Sequence, residues 1–120
     1  MKYMLLIYQG TAPTPRSPDA WARLSGEEKQ EVTRAYKAVN ETPGVSPGVV
    51  LQPADSSATT VRVQDDTLLT EKGPFVPLER ALDGYLMFEA DGDDAAIDLA
   101  ASIPAARLGG AVEVRPLVQS

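Results

Sequence analysis

Apolar residues along the chain fall into short runs whose spacing assigns elements. Lys2–Tyr8 (KYMLLIY) is almost unbroken, which predicts a central strand buried on both faces. The stretch QGTAPTPRSPDAW carries Pro13, Pro15 and Pro18 and reads as a loop. Within it, Ser17-Pro18-Asp19 has the pattern of a helix start, and a short helical turn would carry Trp21 and Leu24 inward. Ser25 and Glu28 then have the spacing of a capping box. Val32, Ala35, Tyr36 and Val39 follow at i, i+3, i+4 and i+7, so SGEEKQEVTRAYKAVNE predicts an amphipathic helix. Glu27, Glu28, Lys29, Glu31, Arg34 and Lys37 fall on its wet face, and TPGVSPG ends it.

VVLQP (residues 49–53) predicts a second strand. ATTVRV (58–63) alternates, with Val61 and Val63 on one face and Thr60 and Arg62 on the other. QDD then reads as a hairpin turn and TLLTE as the return strand. The stretch TEKGPF (Thr70–Phe75) leads through a Gly-Pro turn toward the strand GYLMFEA. DGDDAAIDLAASI predicts a second helix capped by Asp91, with Pro104 ending it or starting a further turn. Gly109-Gly110 is a turn into the last strand, AVEVRPL, where Val112 and Val114 oppose Glu113 and Arg115.

The order is strand, helix, hairpin, strand, helix, strand. It predicts a single α+β domain over residues 1–120: a ferredoxin-like βαββαβ plan with an extra strand, an antiparallel sheet, and helices on one face. The other sheet face would be left open. Apolar sheet faces are rarely left to water, so the architecture predicts a homodimer that stacks two such faces into a barrel.

Composition narrows the chemistry. The chain has no cysteine, which removes disulfides, thiol nucleophiles and thiolate metal sites. It has no histidine, which removes the usual general base and the commonest metal ligand. A formal charge of −6 disfavours nucleic acid and anionic membranes as partners. The apolar run at the N-terminus is too short for a signal peptide, and no segment is long enough to span a membrane, so the expected location is the cytoplasm. Asp91, Asp93 and Asp94 lack the glycine-centred loop and terminal Glu of a calcium site. No phosphate-cradling glycine pattern is present, and neither a cofactor nor a metal is expected.

Several stretches together resemble the YCII-related, DGPF-domain family. They are MKYMLLIY, Trp21-x-x-Leu24-Ser25 followed by EEK, LQP…ATTVRV, Gly73-Pro74-Phe75, Gly84-Tyr85 and IPAARLGGAVEVRPL. The resemblance covers nearly the whole chain in order. It implies a ferredoxin-like dimeric α/β barrel, a bacterial origin and a link to extracytoplasmic-function sigma factors. The family's signature loop reads D-G-P-F-A-E-T-K-E, and only Gly73, Pro74 and Phe75 carry over. Lys72 stands at the Asp position, Pro77 at the Glu position, and Glu79-Arg80 replaces Lys-Glu. The His-Asp pair of the YCII branch cannot be present in a chain without histidine.

The candidate ligand-binding residues are Lys72, Phe75, Tyr8, Tyr85, Arg62 and Arg115, with no catalytic residue assigned. Gly73-Pro74-Phe75 reads either as a rigid turn dropping Phe75 into the core or a pocket wall, or as a loop delivering a polar group to a cavity. Lys72 would favour an anionic ligand there. Arg62 and Arg115 each face away from neighbouring valines, either as partners of Glu113 or Glu89 or as anion-binding guanidinium groups. Tyr8 and Tyr85 are the aromatics expected to line a sheet cavity, and Trp21 is expected to be a packing anchor. Glu79-Arg80 reads as a surface or intersubunit pair. The expected function is binding of a small organic molecule, anions included, in a sheet-face cavity of the homodimer. The alternatives are a non-catalytic regulatory protein of a sigma-factor pathway and a small-molecule isomerase or lyase.

Overall fold

A computed structural model describes residues 1–15 and 17–119. The elements are β1 (Lys2–Tyr8), α1 (Pro18–Ala22), α2 (Gly26–Glu41), β2 (Val49–Val50), α3 (Ala54–Ser57), β3 (Thr59–Gln64) and β4 (Thr67–Lys72), then a 3₁₀ turn (Leu78–Arg80), β5 (Gly84–Glu89), α4 (Asp93–Ala101), α5 (Pro104–Arg107) and β6 (Ala111–Pro116). An antiparallel four-stranded sheet runs in the order β2-β5-β1-β6. The molecule is thus a mixed α+β domain compatible with the ferredoxin-like plan. The other two strands, β3 and β4, pair as the expected hairpin but do not extend this sheet: they form a separate two-stranded one, so the single extra strand expected in the sheet is corrected to a hairpin outside it.

Burial along β1 alternates. Tyr3, Leu5 and Ile7 are buried, whereas Met4, Leu6 and Tyr8 are only half-buried, so one face is covered and the expectation of two is corrected. On the covered side Leu86 and Phe88 of β5 join Val39 of α2, Ala96 and Ala100 of α4, and Ile103 and Ala105 around α5. Small residues on α4 let that helix lie close to the sheet.

The α2 start matches its sequence signature. Glu28 N–H donates to Ser25 Oγ at 3.0 Å, and Ser25 N–H donates back to Glu28 Oε1 at 2.9 Å. Val32 and Val39 are buried on its inner stripe. Trp21 and Leu24 are half-buried. The α1 start falls as expected, with Ser17 at the cap position and Pro18 first in the helix, although the Ser17 hydroxyl bonds the Thr14 backbone and not the helix, accepting from N–H at 2.8 Å and donating to C=O at 2.9 Å. The α4 start differs from expectation. Asp91 does not cap α4; Gly92 occupies that position, and the carboxylate engaged nearby is that of Asp93, which accepts the Tyr3 hydroxyl at 2.7 Å. That bond is the main cause raising the Tyr3 phenol above its ordinary value, with burial and the Asp93 charge adding to it.

The β3–β4 hairpin stands off the body as an arm. Its turn residues Asp65 and Asp66 both have positive φ, 51° and 63°, as a tight two-residue hairpin turn demands. Val61, Val63 and Leu68 share one face and are all exposed. The radius of gyration, 16.2 Å, exceeds the roughly 14 Å of a compact chain of this length, as a projecting arm requires. Among the described residues, no helix is long and apolar enough to cross a membrane.

Candidate functional site

The uncovered face of the four-stranded sheet is built from the outward half of each alternating strand. Leu6 is flanked by Tyr85 on β5 and Glu113 on β6, and Met4 by Met87 and Arg115. Val49 on β2 pairs with Tyr85 and extends the apolar ground to the sheet edge. Directly paired residues of neighbouring strands bring their side chains within contact, so this face is a continuous surface.

Across it runs a polar string. Tyr8 Oη donates to Glu113 Oε1 at 3.3 Å, and Arg115 Nε lies 3.9 Å from Glu113 Oε2. The Tyr8 phenol is raised above its ordinary value by partial burial, then by the Glu113 charge and hydrogen bond, with Arg115 opposing. Tyr8 therefore stays a neutral donor through the physiological range. Arg115 and Glu113 are exposed, so their pairing adds little stability.

The string ends in an open cleft of about 550 Å³ where the 3₁₀ turn approaches β6. Tyr8, Glu113, Glu79, Arg80 and the Gly109-Gly110 turn line it. A Cβ on Gly110 would collide with the carbonyl oxygens of Tyr8 and Gln9, so only glycine lets the two backbones meet at this end. Glu79-Arg80 is thereby part of the cleft wall. The sequence reading missed that role for Arg80, and missed Glu113 as the hub of the string. The alternation that placed Arg115 on the outer face applies equally to Glu113.

Of the six nominated residues, the structure gathers Tyr8, Tyr85 and Arg115 on this face. It places Arg62, Lys72 and Phe75 elsewhere. Arg62 sits on the arm opposite Leu69, away from Val61 and Val63, and Lys72 is exposed at the end of β4 opposite Thr59. The loop Gly73-Pro74-Phe75 closes the base of the arm. Gly73, at φ +102°, donates its N–H to Ala58 C=O at 2.8 Å and accepts from Thr60 Oγ1 at 2.8 Å. Phe75 is 77% exposed, which corrects the expectation of a core position; of the two places expected for it the pocket wall holds, since it lines an open pocket with Leu51, Ala81 and Leu82. The turn spends its rigidity on tying β4 back to β3 rather than on burying a ring.

Among the described residues, no cluster of three carboxylates could hold a metal ion. No protein-family model matches this chain, and no curated protein matches it.

Proposed function

We propose that the protein is a homodimer of the YCII/DGPF type that binds a small organic molecule on the open face of its four-stranded sheet. The observation that carries this reading is the Tyr8–Glu113–Arg115 string, laid along the β6 side of an uncovered face whose middle, at Met4, Leu6 and Met87, is apolar, and running into the cleft beside Arg80. An apolar ground with a few convergent polar groups is the usual make-up of a ligand site. Arg80 and Arg115 favour a carboxylate or other anion, and the Tyr8 hydroxyl supplies a neutral donor. A second copy stacked on this face would close the cleft and cover Met4, Leu6 and Met87.

The test joins sedimentation velocity to calorimetric titration with benzoate. A dimer is expected, with benzoate binding weakened at least tenfold in Arg80→Ala/Arg115→Ala. A monomer at all concentrations that ignores benzoate would sink the reading.

A second reading, a non-catalytic interaction protein of a sigma-factor pathway, draws on the arm. Its exposed Val61, Val63 and Leu68 suit a protein partner. Affinity capture with a Val61→Ser/Val63→Ser/Leu68→Ser arm tests it, since loss of a partner held by the unaltered chain is the expected result.

A further inference from the structure

The helix-covered side of the sheet holds a second cavity, of about 230 Å³ and more enclosed than the cleft, between the end of β1, α2 and the β2–β5 edge. Its walls are mainly apolar, and its polar side chains are Gln9, Thr14, Tyr36, Asn40 and Asp83. Gln9 follows β1 directly. Its backbone N–H donates to Asp83 Oδ2 at 2.7 Å, and its side-chain Nε2 donates to Tyr36 Oη at 3.0 Å. Gln9 Oε1 is buried with no partner. Turning the amide over would satisfy Oε1 from the Tyr36 hydroxyl and leave Nε2 as the unmet atom, so one polar atom faces an unfilled demand in either orientation. A buried polar atom without a partner is costly, and its retention beside a cavity marks a place where a ligand group completes the set; in the orientation the structure shows, the unmet atom is the acceptor Oε1 and the completing group is a donor.

We infer that this cavity is a binding site for a small primary amine with an apolar body. Three observations choose that class. Asp83 is an acceptor-only carboxylate when ionised, and among the described residues Gln9 N–H engages one of its two oxygens. Gln9 Oε1 offers a second acceptor to the same head group. Among the described residues that line the cavity, Asp83 is the charged one, and its carboxylate repels an anion and attracts a cation. An ammonium carries three donors, which suits two acceptors at once. Ile7, Val39 and Leu86 line the inner wall and receive the hydrocarbon part. The volume equals that of seven or eight liquid waters at about 30 Å³ each, enough for a ring or a short chain and too small for a nucleotide. The site lies within one protomer and does not depend on dimerisation.

Benzylamine, benzyl alcohol and benzoate, isosteric and differing in charge, test the inference on the full chain by ¹H–¹⁵N NMR. Benzylamine is expected to shift the Gln9 side-chain amide and the Gly84 backbone amide, and to bind at least tenfold more tightly there than either other probe. Asp83→Asn keeps the acceptor for Gln9 N–H and removes the charge, and should cost benzylamine at least tenfold. Val50→Trp, at an exposed lining position, should block entry without touching the polar groups. Equal shifts from all three probes, or none from benzylamine at tens of millimolar, would overturn the site. So would undiminished benzylamine binding in both variants. Shifts confined to residues 111–115 would place the amine on the sheet face instead and equally refute it.

Discussion

Leu5 and Leu6 are adjacent in β1 and point to opposite faces of the sheet, which makes them a matched pair of probes. Leu5 is 0% exposed, opposite Leu86 and Val114 on the flanking strands. Truncating it to alanine removes three buried carbons, about 2.4 kcal/mol of transfer free energy at ~0.8 kcal/mol each. The unfilled space adds a cavity term, giving about 3–4 kcal/mol in total. For a chain of this length each kcal/mol moves Tm by roughly 4 °C, so Leu5→Ala should melt about 12–16 °C lower. Leu6 is half-buried in the protomer and loses only about half of the transfer term, roughly 1 kcal/mol, if its face stays wet. Covered by a second copy, it should cost nearly as much as Leu5. The Tm of the unaltered protein should then rise with protein concentration, and Leu6→Ala should flatten that rise. Differential scanning calorimetry over a hundredfold concentration range reads both quantities. A Leu6→Ala loss under about 1 kcal/mol together with a concentration-independent Tm would refute the stacked dimer. A Leu5→Ala loss of the same size would refute the assignment of the core.

Removing the cap oxygen in Ser25→Ala should cost about 1 kcal/mol in urea unfolding, with the m-value unchanged. Gly110→Ala should prevent the close approach of the β6 entry to the end of β1 and cost more than about 3 kcal/mol, read by the same unfolding assay. In spectrophotometric titration, Glu113→Gln should bring the raised Tyr8 phenol back toward the ordinary tyrosine value, with Tyr8→Phe as the reference. Tyr3 and Tyr8 hold their protons more tightly in the folded chain than in the unfolded one. Their contribution to stability is therefore intact below about pH 10 and lost as pH rises through the folded values, so the unfolding midpoint should fall in strong alkali and less so in Glu113→Gln.

The elements with a clear period were legible in the sequence. The i, i+3, i+4, i+7 stripe and the Ser25–Glu28 pair fix α2, and alternation fixes β3 and β6. What alternation does not reveal is what covers a face. Val61 and Val63 share one face of a strand, as the alternation says, but their pairing with Thr70 and Leu68 leaves that face exposed on a free-standing arm. The unbroken KYMLLIY run suggested burial on both sides for the same reason, since an apolar residue on an open face looks identical in sequence to one in the core. On the candidate face, Tyr8 and Arg115 could be nominated from strand position. Arg80 could not, because only the folding of the loop after Pro77 carries it to the far end of β6. Gln9 and Asp83 sit 74 positions apart, and nothing local announces their bond.

The central strand is also the first one made. Its partners lie roughly eighty residues or more further along, on β5 and β6, while the β3–β4 arm closes with its own neighbours. At a synthesis rate of roughly 5–20 residues per second, the MLLIY segment waits about 4–16 s before its first partner strand exists. During that time it is an adhesive segment with unpaired edges on both sides, whereas the arm can be complete. The sheet order thus sets a timetable for the nascent chain. The segment that becomes the middle of the domain is the one most in need of shelter while the ribosome is still at work, because long-range pairing of the kind that ends its exposure is intrinsically slow.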